Sequence, residues 1–373
     1  MDSGFNLGHI FGIRFRVHYS WFFIFLLITV FLAQQVFPVA VPRENTSTYW
    51  IMGAVTSLLF FFSVLFHETS HSLVGRANGI PVSSITLFLF GGAAQMTREP
   101  ASAGAEMKMA LAGPMSSLGL AAAFWMIYSF YLGIENTVAA MALWLAQINL
   151  IVAVFNLLPG FPLDGGRVFR GLWWHFRRDY EGATRVAVFA GRITGFLIIG
   201  AGLYFIVYYR DWLAGVWLAV LGWYLESAAR TSLKQFELQI WLKGKKVSEV
   251  VNKECPVVAE NTTVAQLRQE HPGRRCFWVE AEGTISGAVF LPGKGDDLEL
   301  KIISDLAQPI AGAIEVGPDT DLLVLVQEFN ETGKDVALVT GYEERGLVFL
   351  DELVELVNRQ RNQGVGNTGT GGK

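Results

Sequence analysis

The segment His67-Glu68-Thr69-Ser70-His71 sets two imidazoles four residues apart with a carboxylate between them. On a helix of 3.6 residues per turn, His67 and His71 project from one face about 6 Å apart, which suits two nitrogens on one tetrahedral Zn²⁺. Glu68 lies too far round to ligate and is placed to hold the attacking water. The chemistry on offer is metal-assisted hydrolysis. Two ligands do not complete such a site, because a catalytic zinc takes a third protein ligand and keeps a fourth position open.

The other ionisable candidate is Asp164, in Asn156-Leu-Leu-Pro-Gly-Phe-Pro-Leu-Asp164-Gly-Gly-Arg167 at the end of an apolar run. Pro159 and Pro162 prevent a regular helix there, and Gly160, Gly165 and Gly166 permit tight backbone, so the chain can bend back and aim a carboxylate inward. Asn156 precedes the bend. It is read either as a hydrogen-bond donor to a developing oxyanion or as a helix-packing amide.

The elements that must position these groups are apolar. Of the 373 residues, 52% are hydrophobic and 17% charged, with 28 Phe and 11 Trp, which is too greasy for an ordinary water-soluble domain. A bilayer core of about 30 Å needs about 20 apolar helical residues. Six runs qualify: 19–37, 51–75, 107–132, 138–158, 186–208 and 212–229. Arg14 and Arg16 lead straight into the first without a small-residue cleavage pattern, so that run is expected to stay as an anchor. If the runs alternate in direction, Arg14, Arg16, Arg76, Arg98, Lys108, the arginines from 167 to 185, Arg230 and Lys234 fall on one side, against Arg43 and Arg210. The positive-inside rule then makes both termini cytoplasmic. The second run continues from Trp50 into His67 with no loop, and counting back from Arg76 at 1.5 Å per residue sets His67 roughly 13 Å beneath the boundary. Ionisable groups at such depth cost at least ~2.5 kcal/mol each and persist where they pair, ligate or face water.

Between the second and third runs, IPVSSITLFLFGGAAQMT (80–97) is too short to span, rich in β-branched and aromatic types, and broken by Gly91 and Gly92. It reads as a small membrane-associated β-hairpin whose edge a substrate strand could join. From about residue 231 the chain turns polar, and a segment of about 115 residues repeats itself. PVVAENTTVAQL leads to CFWVEAEGTISGAVFL, and AIEVGPDTDLLVLV leads to DVALVTGYEERGLVFL; each half reads strand, turn, helix, strand, turn, strand. The Gly-rich end, 361–373, reads as a disordered tail. Cys255 and Cys276 lack CxxC or zinc-ribbon spacing and are read as small buried hydrophobes, with neither a disulfide framework nor a thiolate metal site. Net charge is −4 and no basic run exceeds the Lys243, Lys245, Lys246 cluster, so nucleic acid is set aside as a partner.

With these residues in view, the chain resembles the site-2 protease family of intramembrane metalloproteases. HETSH matches that family's HExxH, the Asn156 to Gly165 segment matches its Asn-to-Leu-Asp-Gly segment, and Phe90-Gly91-Gly92 and Ala112-Gly113-Pro114 resemble its hairpin and small-residue turn. The resemblance implies one Zn²⁺ per chain held by His67, His71 and Asp164, Glu68 as acid/base, Asn156 as an auxiliary residue, and a single-span membrane protein as substrate. The polar segment is similar to a tandem pair of cystathionine-β-synthase (CBS) domains, modules that often bind adenine nucleotides. The hydroxyl usual after the glycine of the last strand is missing, since Gly287 is followed by AVFLPGKGDD and Gly346 by LVFLDEL.

The expected fold is an α-helical polytopic membrane domain (1–236) with the hairpin, followed by a soluble α/β tandem CBS domain (245–360). The protein is expected in the cell membrane, with the CBS pair cytoplasmic and a homodimer allowed. Two rivals fit less well. A di-iron oxidase needs more paired histidines than His9, His18, His175 and His271 supply, and a CBS-gated channel or transporter should repeat between membrane halves or carry ionisable groups along a pathway.

Overall fold

The structure, a computed structural model, describes residues 4–10, 12–80, 82–88, 91–96, 100–131, 136–291, 299–341 and 346–356. Phe90 of the expected hairpin and the expected tail 361–373 lie outside them. The chain divides into two units, Met1–Lys234 and Gln235–Lys373.

The first unit opens with β1 (Gly4–Ile10) and β2 (Ile13–His18), then α1 (Ser20–Phe31), which continues through a wide turn into α2 (Phe37–Ala40) as one apolar span. Next come α3 (Thr46–Ala77), β3 (Val82–Phe88), β4 (Gly91–Met96), α4 (Ala103–Phe130), α5 (Thr137–Asn156), α6 (Asp164–Arg177), α7 (Tyr180–Tyr204) and α8 (Trp212–Leu242), whose last eight residues belong to the second unit. Six helical stretches are long and apolar enough to cross a membrane, and each of the six apolar runs of the sequence coincides with one of them to within two residues at any end that overshoots. The last runs thirteen residues past 229, because the Leu, Lys, Gln and Glu of TSLKQFELQIWL are good helix formers even where the run ceases to be apolar. Only 22–33% of each span's most apolar window is buried inside the protein, and Phe23, Phe62, Leu213 and Trp217 stand exposed. Such faces have lipid as their solvent.

The expected hairpin is present as β3 and β4, antiparallel. It is also half of a larger sheet, ordered β1-β2-β3-β4, in which β2 and β3 pair in parallel. Ile13, Phe15, Val82 and Ile85 are buried together against Leu65 of α3, two residues before His67. The sheet thereby braces the turn of α3 that carries the histidines, and β4 is left at its edge.

In the second unit, β5 (Val257–Ala259), α9 (Val264–Glu270), β6 (Cys276–Ala281), β7 (Thr284–Phe290) and β8 (Gln308–Pro309) form one repeat. β9 (Ile314–Val316), α10 (Leu322–Thr332), β10 (Val336–Val339) and β11 (Gly346–Phe349) form the other. In each repeat a helix bridges a parallel strand pair, and the second of those strands pairs antiparallel with the next. This is the order expected from the repeated sequence. Thr263 starts α9 with a reciprocal cap to Gln266, and Gly333, in the left-handed region at φ 68°, ends α10. Leu322, Leu325 and Phe329 of α10 pack on Ala337, Val339 and Val348 in a core unlike the lipid-facing helices.

The cysteine reading is corrected: Cys255 and Cys276 form a disulfide, with Cα atoms 5.2 Å apart. Its origin is strand register. β5 pairs Val257 with Trp278, an offset of 21, and the same offset carried back two residues sets Cys255 opposite Cys276. Local spacing motifs cannot reveal such a pair. Closing a loop of this length contributes about 3 kcal/mol by chain entropy. Cys255→Ser should therefore lower the urea midpoint of the second unit's unfolding under oxidising conditions, and dithiothreitol should bring the unmutated chain to the same midpoint.

Candidate active site

His67 and His71 lie on consecutive turns of α3, 4% and 7% exposed, with ring centroids 4.7 Å apart. The non-helical stretch 157–163 turns the chain back between α5 and α6, and Asp164 opens α6. Its Oδ2 lies 3.2 Å from His67 Nε2 and 3.1 Å from His71 Nε2, and the two Nε2 atoms are 3.1 Å apart. Three ligand atoms thus make a nearly equilateral triangle. Tetrahedral zinc with bonds of 2.0–2.2 Å spaces its ligand atoms by about 3.3–3.5 Å, so the triangle fits that ion with small adjustment. Among the described residues this is the one group of three or more His, Cys, Asp or Glu that could hold a metal.

The wall behind the triangle is one face of α4. A β-carbon at Gly113 would overlap Nε2 of both His71 and His67, so only glycine leaves the space in which the imidazoles converge. Pro114 removes the helical hydrogen bond to the Ala110 carbonyl and loosens this turn. One turn earlier, the Met109 carbonyl oxygen lies 2.7 Å from His71 Nδ1. A carbonyl only accepts, so His71 carries its proton on Nδ1 and presents a lone pair at Nε2. One turn after Gly113, Ser117 Oγ lies 2.9 Å from His67 Nδ1.

A buried ion pair fixes α6, and with it Asp164. Glu106 of α4, wholly buried, accepts from Arg170 Nε at 2.6 Å and from a second nitrogen of the same guanidinium. Arg170 also stacks over Phe161 and Tyr180, 4.8 Å from each ring centroid, so the loop, α6 and α7 are gathered round one cation. Removing either partner strands a charge, at a cost of about 3–5 kcal/mol.

Glu68 is half-buried beside the triangle, within electrostatic reach of His71, Asp164 and Arg167. A β-carbon at Gly92 would overlap its Cγ, so β4 runs directly against this carboxylate. Asn156 is half-buried at the end of α5 and makes no side-chain hydrogen bond among the described residues. The structure therefore gathers His67, His71, Asp164 and Glu68, and gives Asn156 no bonded place among them.

Sequence reasoning missed Gly113, Ser117, Met109 and Glu106 as parts of the site. The signal was their spacing, since 106, 109, 113 and 117 recur every three or four residues and so share one face of α4.

Peptidase family M50 matches residues 55–136 and 133–201. The Mycobacterium tuberculosis protein named "Putative zinc metalloprotease Rip3" is 32% identical, over 97% of this chain and 94% of its own length. A solved site-2 protease from Methanocaldococcus jannaschii is 26% identical, covering 62% of this chain and 95% of that one, with a TM-score of 0.43. The CBS domain of a bacterial CNNM/CorC family Mg²⁺ transporter, solved with ATP, is 18% identical over 34% of this chain and 97% of its own, with a TM-score of 0.23. These relatives, together with the six apolar helices, make the chain a zinc metalloprotease of the multi-pass membrane class. More particularly, the chain belongs to peptidase family M50, the site-2 proteases.

Gly113→Ala should abolish zinc binding while the helices remain. Metal analysis of the purified variant should fall from one zinc per chain towards none, with far-ultraviolet circular dichroism unchanged.

Proposed function

We propose that this protease cuts a peptide bond within or near the transmembrane segment of a single-span membrane protein, using His67, His71 and Asp164 as zinc ligands and Glu68 as proton carrier. The observation that carries the reading is the triangle of Nε2, Nε2 and Oδ2 atoms, 3.1–3.2 Å on a side, with both imidazoles on a helix apolar enough to cross the bilayer. Bound there, zinc supplies Lewis acidity that acidifies water and polarises a carbonyl.

The remaining steps belong to the chain itself. Glu68 takes a proton from the attacking water and delivers it to the leaving amine nitrogen as the bond breaks. Asn156 is the auxiliary donor to the carbonyl oxygen as negative charge develops. Because a helical peptide bond is shielded by its own hydrogen bonds, the substrate must unwind. β4, at the sheet edge with Gly92 against Glu68, supports a mode in which the substrate adds as an extended strand and presents its backbone to the carboxylate.

The second unit is the tandem CBS pair of this reading and modulates proteolysis. Its repeated strand and helix order supports that assignment. A cleft of about 420 Å³, lined by Lys253, Arg274 and Arg275 beside Glu254 and Glu352, supports a polar ligand such as an adenine nucleotide. The distribution of Arg and Lys supports cytoplasmic termini.

The decisive experiment incubates the purified chain in detergent with a single-span reporter, with and without a zinc chelator. Glu68→Gln should keep its zinc and lose cleavage by about 10²–10⁴-fold; full activity in that variant would remove Glu68 from the mechanism. Asp164→Ala should lose the metal itself, and stoichiometric zinc in it would remove Asp164 from the ligand set.

A further inference from the structure

The two histidines are oriented by different means. His71 Nδ1 is held by a main-chain carbonyl, that of Met109, whereas His67 Nδ1 meets a side chain, the Ser117 hydroxyl at 2.9 Å. Ser117 is 1% exposed and stands one turn beyond Gly113 on the α4 face that backs the site.

A hydroxyl buried in a helix ordinarily bonds back to a carbonyl three or four residues earlier. Several hydroxyls elsewhere in the membrane unit do so, among them Ser63 to Leu59, Thr69 to Leu65, Ser70 to Phe66, Ser116 to Gly113, Ser129 to Trp125 and Thr184 to Tyr180, while Thr29 bonds instead to the Ser57 hydroxyl of a neighbouring helix. Ser117 departs from this pattern. Among the described residues, the one hydrogen bond of its hydroxyl is to the imidazole of His67. Its own helix does not claim it, and with His67 Nε2 turned to Asp164 and His71, Nδ1 is the ring nitrogen left to donate to it.

We propose that Ser117 is a positioning residue for the metal, its hydroxyl accepting the Nδ1 proton of His67 and so fixing that ring's tautomer and plane with Nε2 turned to the ion. The inference rests on the reading of His67 as a ligand. Neutral imidazole carries one proton on either nitrogen, and only the Nδ1–H form offers an Nε2 lone pair. Without the hydroxyl, the ring is free to rotate and to take the other tautomer. Loss of such an outer partner typically weakens metal affinity 10–100-fold.

The test uses the full chain, purified in detergent, stripped of metal and titrated with zinc against a competing chelator. Ser117→Thr and Ser117→Val have nearly the same shape and differ in the hydroxyl, so the pair isolates the hydrogen bond from packing. Thr should bind zinc within about threefold of the unmutated chain and Val 10–100-fold more weakly, with the metal-free proteins unfolding at the same temperature. Ser116→Ala, which deletes a neighbouring hydroxyl bonded to the Gly113 carbonyl, should leave affinity unchanged. Equal affinities for Thr and Val, or an equal loss in Ser116→Ala, would overturn the proposal. His67→Ala, run alongside, separates the two readings. If it keeps stoichiometric zinc, the ligand assignment fails; if it loses zinc while Val and Thr bind alike, only the role of Ser117 fails.

Discussion

The close approach of α3 and α4 at Gly113 is the constraint on which the rest depends. Two imidazoles reach a common point only because no side chain occupies that position, and the carboxylate of Asp164 arrives from a third direction. Around it, one face of α4 supplies a hydrogen-bond partner for each ring and the anion that holds α6. Metal sites depend on such outer partners almost as much as on their ligands, because an unsupported ring or carboxylate pays rotamer entropy each time it binds.

The two units meet different solvents and keep together by different means. In the membrane unit the driving force of apolar burial is small, since lipid is as apolar as leucine, and helices associate through small residues and polar contacts. The buried bonds from Thr29 to Ser57 and from Asn149 to Ser63 and to the Leu145 carbonyl are of this kind. The second unit packs aliphatic and aromatic side chains between helix and sheet as a water-soluble domain does.

What could be read in the chain was whatever is encoded locally. Apolar run length gave the spans, the four-residue spacing of His67 and His71 gave the shared face, and a short β-branched and aromatic stretch broken by paired glycines gave β3 and β4. Repeated sequence gave the two α/β repeats. What escaped was whatever depends on residues distant in the chain. β2 pairs in parallel with β3 across the whole of α1 to α3, and nothing in IRFRVH announces that partner. Cys255 and Cys276 are joined by a register that exists only once β5 and β6 lie side by side. Ser117 looked like any helical serine until an imidazole was found against it.

α3 has 32 residues, and at 1.5 Å apiece it is about 48 Å long, some 18 Å more than the hydrocarbon it crosses. The excess is taken up by tilt or by emergence into the headgroups. How deep the triad lies is then fixed by protein and lipid together, and a thinner bilayer lifts the reacting bond towards water without moving one atom relative to another.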